Sequence, residues 1–241
     1  MTARRLAAAC AAACITAASA ADPASLLEPL ALPGAGTPWR DALLPAQTLP
    51  RTTFEIVQQD GRRALQIVAR GAYGNLAHPL PPTTTAPLVL AWRWRVDRFV
   101  AASDLARKSG DDAAVKVCVA FDMPDARVPF IERQLLRIAR ASSDEPLPAA
   151  TLCYVWDRLL AKGTRIDNAY TRRVRYLVLQ GAPLETGVWE SERRDLGADF
   201  LLAFGDESDQ VPPLAAVLVG ADADNTQGES KSFIADLTLT R

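Results

Sequence analysis

Histidine is almost absent from the chain, and this argues against several kinds of active site. His78 is the one histidine in 241 residues, and it stands beside Pro79 without a motif around it. Ser-His-Asp and Cys-His mechanisms need an imidazole base, and a zinc site needs a cluster of ligands. No Gly-rich turn followed by lysine is present to hold phosphate. We therefore interpret His78 as structural and expect no zinc enzyme.

An excess of charge of either sign is also missing. The chain has 27 Lys and Arg residues against 28 Asp and Glu, and 49% of it is hydrophobic. Such a balance creates no long-range field that would attract nucleic acid. No apolar run beyond the first 20 residues is long enough to cross a bilayer. We expect neither a nucleic-acid partner nor a transmembrane segment in the mature chain.

The N-terminal segment has the order of a secretory signal. Arg4 and Arg5 precede the apolar run 6–17, and Ala18-Ser19-Ala20 has the form of a cleavage site. We predict that residues 1–20 are a signal peptide and that the mature protein begins at Ala21, in the periplasm or outside the cell. Lipidation at Cys14 is the weaker alternative, because its leader would be very short.

Cysteine is scarce in the predicted mature chain. Of four cysteines, Cys10 and Cys14 leave with the signal, and Cys118 and Cys153 remain. Each remaining cysteine is central in a predicted strand. They form either one disulfide, as an oxidising compartment permits, or two buried thiols.

Period-two alternation of apolar and polar residues dominates the rest of the chain. Asp60-Gly61 between two apolar runs is a strong hairpin signal, and Leu88–Phe99 alternates with Trp92 and Trp94 on one face. These tryptophans are predicted to lie in the core. The predicted strands are Thr53–Gln58, Ala64–Ala69, Tyr73–Leu80, Leu88–Phe99, Val115–Phe121, Thr151–Trp156, Arg173–Gln180, Val188–Glu192, Leu214–Val219 and Phe233–Thr240.

Two segments have helical spacing instead. Phe130–Ala141 carries apolar residues four and three apart, so we expect a helix laid on the sheet, with its arginines facing solvent or an acidic partner. Asp195 is a good N-cap for a second helix, and Gly205 has the position of a left-handed C′ glycine.

The sum of these elements predicts an all-β fold. Turn signals recur at the spacing of a sandwich, and no βαβ rhythm is present. We predict an antiparallel, jelly-roll-like β-sandwich with one or two short helices over residues 51–241, preceded by an irregular lead-in over residues 21–50.

Two acidic loops are the main indication of a site. Asp222, Asp224 and Asn225 follow one strand, and Asp111-Asp112 lies in another turn. Loops at one end of a sandwich can converge, and close carboxylates then need a cation or an arginine. Calcium on Asp222 and Asp224 is one solution. An internal network with Arg172, Arg173 or Arg193 is slightly favoured, and plain turn formation is a further alternative.

Three functions remain open at this point. The favoured one is non-catalytic binding of a carbohydrate or envelope ligand, with Arg93, Arg95 and Lys116 projecting from wet strand faces. A glycan hydrolase with paired carboxylates and a protein-interaction domain are the alternatives. The candidate ligand-binding residues are Asp111, Asp112, Tyr170, Trp189, Asp222, Asp224 and Asn225. The carboxylates available for hydrolysis are Asp111, Asp112, Asp157, Glu190, Glu192, Asp222 and Asp224.

Several motifs in one order resemble a known family. They are Gly110-Asp111-Asp112-Ala113-Ala114-Val115-Lys116-Val117, Tyr154-Val155-Trp156, Asn168-Ala169-Tyr170-Thr171-Arg172-Arg173-Val174, Trp189-Glu190-Ser191-Glu192-Arg193-Arg194-Asp195 and Asp222-Ala223-Asp224-Asn225-Thr226. Together they are similar to the DUF3047 family of exported bacterial proteins, over roughly residues 53–239. The resemblance implies export and a single domain. It implies no activity and no catalytic residues.

Overall fold

The protein is a sandwich of two β-sheets with two short α-helices, as predicted. The computed structural model describes residues 24–44, 47–143, 147–183 and 185–241. The predicted signal peptide lies outside these residues, so its cleavage stays a prediction. None of the described helices is long and apolar enough to cross a membrane.

Twelve strands are present in the described ranges, two more than the sequence predicted. In chain order the elements are β1 (Arg40–Ala42), β2 (Thr53–Gln59), β3 (Arg62–Arg70), β4 (Tyr73–Pro79), β5 (Val89–Arg98), β6 (Lys116–Phe121), α1 (Phe130–Ala141), β7 (Ala150–Trp156), β8 (Arg165–Asp167), β9 (Val174–Gln180), β10 (Glu190–Asp195), α2 (Leu196–Phe204), β11 (Leu214–Asp222) and β12 (Glu229–Thr240). The unexpected strands are β1 and β8, which have three residues each.

The sheets have seven and five strands. The seven-stranded sheet has the order β1-β4-β11-β6-β7-β9-β8, and the five-stranded sheet has the order β10-β5-β12-β3-β2. Neighbouring strands are antiparallel with one exception, because β7 and β9 run parallel. That exception departs from the antiparallel sandwich that we expected.

The core lies between the two sheets and contains the predicted tryptophans. Trp92 and Trp94 are 2% and 0% exposed, and the Trp92 ring lies 5.2 Å from the ring of Tyr154 on the opposite sheet. The Asp60-Gly61 hairpin is confirmed as well, since it joins β2 and β3. Both turn residues have positive φ, 52° and 74°, as a type I′ turn requires.

The described part of the lead-in packs on the sandwich. Trp39 is buried, and its indole Nε1 donates to the carbonyls of Glu28 and Pro29 at 3.2 and 3.1 Å. The next residues form β1, which pairs with β4. His78 accepts a hydrogen bond from the Glu28 amide at 3.1 Å. The single histidine therefore has a structural role in holding this segment.

Helix α1 is present at the predicted residues, but its orientation is the reverse of our prediction. Ile131 and Ile138 are 72% and 68% exposed, whereas Leu136 is buried. The Arg140 guanidinium has an acidic partner, as one of our two alternatives predicts, and it binds both carboxylate oxygens of Asp125 at 2.9 and 3.0 Å. Polar contacts thus hold this helix to the protein, and most of its apolar stripe faces solvent.

Helix α2 confirms one predicted end and corrects the other. The Asp195 side chain accepts from the amides of Gly197 and Ala198 at 2.9 and 3.0 Å, so it is the expected N-cap. Gly205 has φ −63°, which is right-handed. The predicted left-handed glycine is therefore wrong.

A buried ionic network closes the end of the sandwich near α2. Glu207 binds Arg173 through both oxygens at 2.6 Å and also contacts Arg175. The side chains of Glu207, Arg173 and Arg175 are 2%, 5% and 9% exposed. Arg175 also binds Asp206 at 2.6 Å. Because the Glu207 carboxylate contacts both buried guanidinium groups, it is the shared member on which the network depends.

We expect Glu207→Ala to lower the free energy of unfolding by about 3 kcal/mol, because it removes the buried carboxylate that two buried guanidinium groups share. Urea unfolding measures the effect. Asp209→Ala is the matched control, since it removes a carboxylate from an exposed pair with Arg127, and it should cost less than about 1 kcal/mol. Equal effects of the two substitutions would contradict this account of the network.

Candidate functional site

A cavity of about 520 Å³ lies on the outer face of the seven-stranded sheet. Its floor is formed by outward side chains of β4, β11, β6, β7 and β9, because alternate residues of a strand point to opposite faces. Its volume is in the range of small-molecule sites. The lining residues are Leu44, Tyr73, Asn75, Asp111, Lys116, Cys118, Pro148, Thr151, Cys153, Asn168, Tyr170, Thr171, Val174, Tyr176, Leu218, Asp222, Asp224 and Asn225.

A disulfide crosses the floor of this cavity. Cys118 on β6 lies directly opposite Cys153 on β7, and the two sulfur atoms are bonded with the Cα atoms 4.0 Å apart. Both residues are 4% exposed. The bond joins two central strands beneath the site, so the two-thiol alternative does not describe this structure.

A buried ion pair connects the floor to the acidic loop. The Lys116 ammonium lies 2.7 Å from Asp222 Oδ2, and Asp222 Oδ1 accepts from the Ala113 amide at 2.8 Å. The ammonium also lies 4.9 Å from the centre of the Tyr73 ring. Burial is the largest single influence and lowers the pKa of Lys116, but the charge of Asp222, its hydrogen bond and the other nearby acidic groups together outweigh burial, and the pKa is raised. Lys116 is therefore a permanent cation in the site.

The predicted arginine partners lie elsewhere. Arg172 pairs with Asp167 and Asp206, and Arg173 belongs to the Glu207 network. Arg193 is in β10 of the other sheet. An internal salt bridge does offset the acidic loop, as the slightly favoured alternative predicts, but its cation is Lys116.

Asp112 joins the two acidic loops. Its carboxylate accepts from the Asn225 amide at 3.0 Å and from the Thr226 amide and hydroxyl at 2.8 and 2.6 Å. The loops therefore converge at one end of the sandwich, as expected. Asp112 is 1% exposed, and its hydrogen bonds give it a structural role behind the cavity wall.

Asp111 faces the cavity within a second hydrogen-bond network. Its Oδ1 accepts from the Tyr176 hydroxyl at 3.1 Å, and its Oδ2 accepts from the Asn168 amide group. Burial and the nearby charge of Asp222 raise the pKa of Asp111 to about 6. This carboxyl is thus held in place and titrates closer to neutrality than an ordinary aspartate.

Asp224 supplies an unused acceptor. Its Oδ1 is buried and accepts no hydrogen bond from the part of the chain that the structure describes. Burial and the charge of Asp222 raise the pKa of Asp224 to about 6. A buried acceptor without a donor is costly unless water or another group satisfies it, so Asp224 differs in this respect from Asp111 and Asp222, whose oxygens accept hydrogen bonds within the protein.

Tyr170 stands beside this carboxylate at the rim. It is 57% exposed, its hydroxyl donates to Asn225 Oδ1, and the same hydroxyl lies 3.0 Å from the Lys108 carbonyl. These contacts orient the ring and leave much of it open. The rim therefore carries an exposed aromatic surface.

The geometry gives little support to a metal site. Within the described ranges, no group of three or more His, Cys, Asp or Glu residues is arranged to hold a metal ion. Both oxygens of Asp222 are already engaged by Lys116 and the Ala113 amide. Calcium at Asp222 and Asp224 would have to displace these contacts.

Comparison with known proteins places this cavity inside a family match. The family described as a protein of unknown function, DUF3047, matches residues 37–238. The chain belongs to this family. No curated protein matches the chain. The matched region contains every residue that lines the cavity.

The structure brings together most of the predicted ligand-binding residues. Asp111, Tyr170, Asp222, Asp224 and Asn225 all line the cavity, and Asp112 lies behind its wall. Trp189 instead lies just before β10 and packs on the five-stranded sheet. There its indole donates to Asp60 Oδ2 at 3.0 Å and its ring packs 6.3 Å from Phe233.

Other lining residues were not predicted from the sequence. Tyr73, Asn75 and Tyr176 project from strands whose outward face the alternation could have identified. Lys116 was noted as a wet-face residue together with Arg93 and Arg95, but β5 and β6 belong to different sheets. Alternation within a strand does not indicate which sheet faces the acidic loops.

We expect the protein to become more stable as the pH falls from about 7 to about 5. Asp111 and Asp224 have folded-state pKa values of about 6, above the ordinary value. Near and below pH 6 the folded chain therefore keeps protons that the unfolded chain has lost. Lowering the pH through this range favours folding, and raising it opposes folding. Urea unfolding across this pH range measures the trend.

Burial also raises the pKa of Glu192, so the wild-type trend has more than one source. Asp224→Asn isolates the contribution of Asp224. The variant should gain about 1 kcal/mol at pH 7 and lose part of the pH dependence. Asp209→Asn alters an exposed carboxylate and should leave the dependence unchanged. A variant with the full wild-type slope would show that Asp224 does not titrate in this range.

Proposed function

We propose that the protein binds a small polyhydroxylated ligand, a saccharide, in the cavity on the seven-stranded sheet, and that it does so without catalysis. The observation that carries the proposal is the buried, unpartnered Oδ1 of Asp224 beside the exposed ring of Tyr170. A hydroxyl group donates to such an oxygen, and the apolar face of a sugar ring packs on an aromatic side chain. Cavities with a few oriented polar groups and aromatic walls are typical of small-molecule sites.

The charge of the lining supports a ligand that is not an anion. Asp111, Asp222 and Asp224 contribute three carboxylates, and Lys116 is the cation that offsets one of them. A phosphate or carboxylate ligand would meet this excess negative charge at close range. Hydroxyl groups, by contrast, supply the donors that the carboxylate oxygens require.

The floor supports selectivity rather than loose contact. Asn168 and Tyr176 are joined by a 2.9 Å hydrogen bond and both bind Asp111. The disulfide holds the strands beneath them. Groups whose positions are set by their neighbours lose little freedom on binding, so they favour one ligand geometry over others.

Hydrolysis of a glycan is the second candidate, because two carboxyls with pKa values of about 6 share the cavity. Acid catalysis at neutral pH uses such raised values. Against it, both oxygens of Asp111 and both oxygens of Asp222 already accept hydrogen bonds within the protein. Paired-carboxylate cleavage needs two groups free to face one bond, so binding is the better supported function.

The proposed location is the periplasm or the cell exterior. The order of basic, apolar and small residues in segment 1–20 supports export. The Cys118–Cys153 disulfide supports it independently, because disulfides persist in oxidising compartments.

A glycan array followed by calorimetry with the glycan that binds tests the proposal. We expect Tyr170→Ala and Asp224→Ala each to weaken binding about tenfold, as losing an aromatic contact or a buried acceptor does. Trp189→Ala is the matched control, since it removes an aromatic ring from the other sheet. The amount of reducing sugar in the same mixtures is measured as well. An unchanged amount would indicate binding without hydrolysis.

The proposal fails if no glycan binds, or if Trp189→Ala weakens binding as much as Tyr170→Ala does. Melting curves of all three variants establish that they are folded. Release of reducing ends that depends on Asp111 and Asp224 would favour the hydrolase instead.

A further inference from the structure

The apolar face of α1 is the most exposed hydrophobic surface among the described residues. Phe130, Ile131, Leu135 and Ile138 are 67%, 72%, 57% and 68% exposed. In helical geometry they cover one continuous side of the helix, with Gln134 among them. A helix on a globular protein normally buries such a stripe, so this one is oriented in the opposite sense.

Specific contacts hold α1 in that orientation. Arg140 binds Asp125 and donates to the Leu147 carbonyl at 2.8 Å, and Glu132 lies 3.7 Å from Arg173. Leu136 is buried on the same side. Because charged groups and one leucine fasten the inner side, the helix cannot roll to hide its apolar side without breaking ion pairs. The exposed stripe is therefore a built feature of the fold.

Arginines line one edge of the stripe. Arg133 and Arg137 follow Phe130 at spacings of three and seven, which places them beside it on the helix surface. Arg137 is exposed, and Arg133 lies with its guanidinium 5.7 Å from the centre of the Phe130 ring. An apolar side edged by arginines is the pattern of helices that lie in the headgroup region of a membrane.

We propose that α1 docks the protein on the surface of an anionic lipid bilayer, with the four apolar side chains inserted and the arginines at the headgroups. The helix carries Arg133, Arg137 and Arg140 against Glu132, so its net positive charge attracts anionic lipid. The same charge repels α1 of a second copy. Four side chains are also far fewer than the roughly 20 residues per side of a stable protein interface. This surface is separate from the sugar cavity and does not depend on its function.

Co-sedimentation with vesicles tests the proposal in the full chain. The vesicles contain phosphatidylethanolamine with phosphatidylglycerol, and phosphatidylcholine vesicles provide the neutral comparison. We expect binding to the anionic vesicles, weakening as salt rises. The triple variant Ile131→Gln, Leu135→Gln and Ile138→Gln should bind at least about tenfold more weakly, because the inserted area is lost. Arg137→Glu should weaken binding to the anionic vesicles and leave any binding to the neutral vesicles unchanged.

The control variant carries Leu201→Gln and Leu202→Gln, which alter the exposed leucines of α2 and should leave binding unchanged. All variants are also compared in the chain that begins at Ala21, which lacks the apolar segment 6–17 and any vesicle binding that this segment causes. Unaltered melting temperatures show that the variants fold.

The proposal is overturned if the wild-type protein ignores vesicles, or if the triple variant binds them as well as the wild type does. Light scattering of the same samples identifies another occupant. A dimer that the triple variant abolishes, without vesicle binding by the wild type, would assign the stripe to a second copy and also overturn the proposal.

Discussion

The candidate site depends on the buried ion pair between Lys116 and Asp222. The two side chains are 7% and 6% exposed, and they join residues 106 positions apart in the chain. Neither charge could stay buried alone, because desolvation of an unpaired ion costs several kcal/mol. The pair therefore fastens the end of β11 to the start of β6, and the Ala113 amide on Asp222 extends that attachment to the acidic loop.

The same pair gives the cavity its chemistry. The charge of Asp222 acts after burial as the next cause that raises the pKa values of Asp111 and Asp224. Close packing beside the ion pair also requires glycine at position 220, because a Cβ there would lie 2.3 Å from the Asn75 side-chain oxygen. A residue larger than glycine would displace Asn75 from the floor. The site is thus a consequence of local charge and local space together.

The sequence predicted the strands and helices more accurately than it predicted which residues they contact. Alternation places Trp92 and Trp94 on a common face, and a core between sheets is the one environment that accepts both. Periodicity in α1 shows equally well that a stripe exists, but it cannot tell which side the protein holds. The orientation of α1 is fixed by Asp125, which lies outside the helix and binds Arg140. The partner of Asp222 was hidden for the same reason, because contacts across a hundred residues leave no local pattern.

The two outer faces of the sandwich explain why the candidate cavity lies on the seven-stranded sheet. On the five-stranded sheet, charged side chains satisfy one another, as Arg95 does with Asp60 of the β2–β3 turn and with Asp97 of its own strand at 2.5 and 2.6 Å. That face needs no cover. The outer face of the seven-stranded sheet is apolar around Tyr176 and Val178, so loops must fold over it. Loops that cross a flat sheet cannot fill all the space above it, and the polar groups that anchor them become the walls of the cavity.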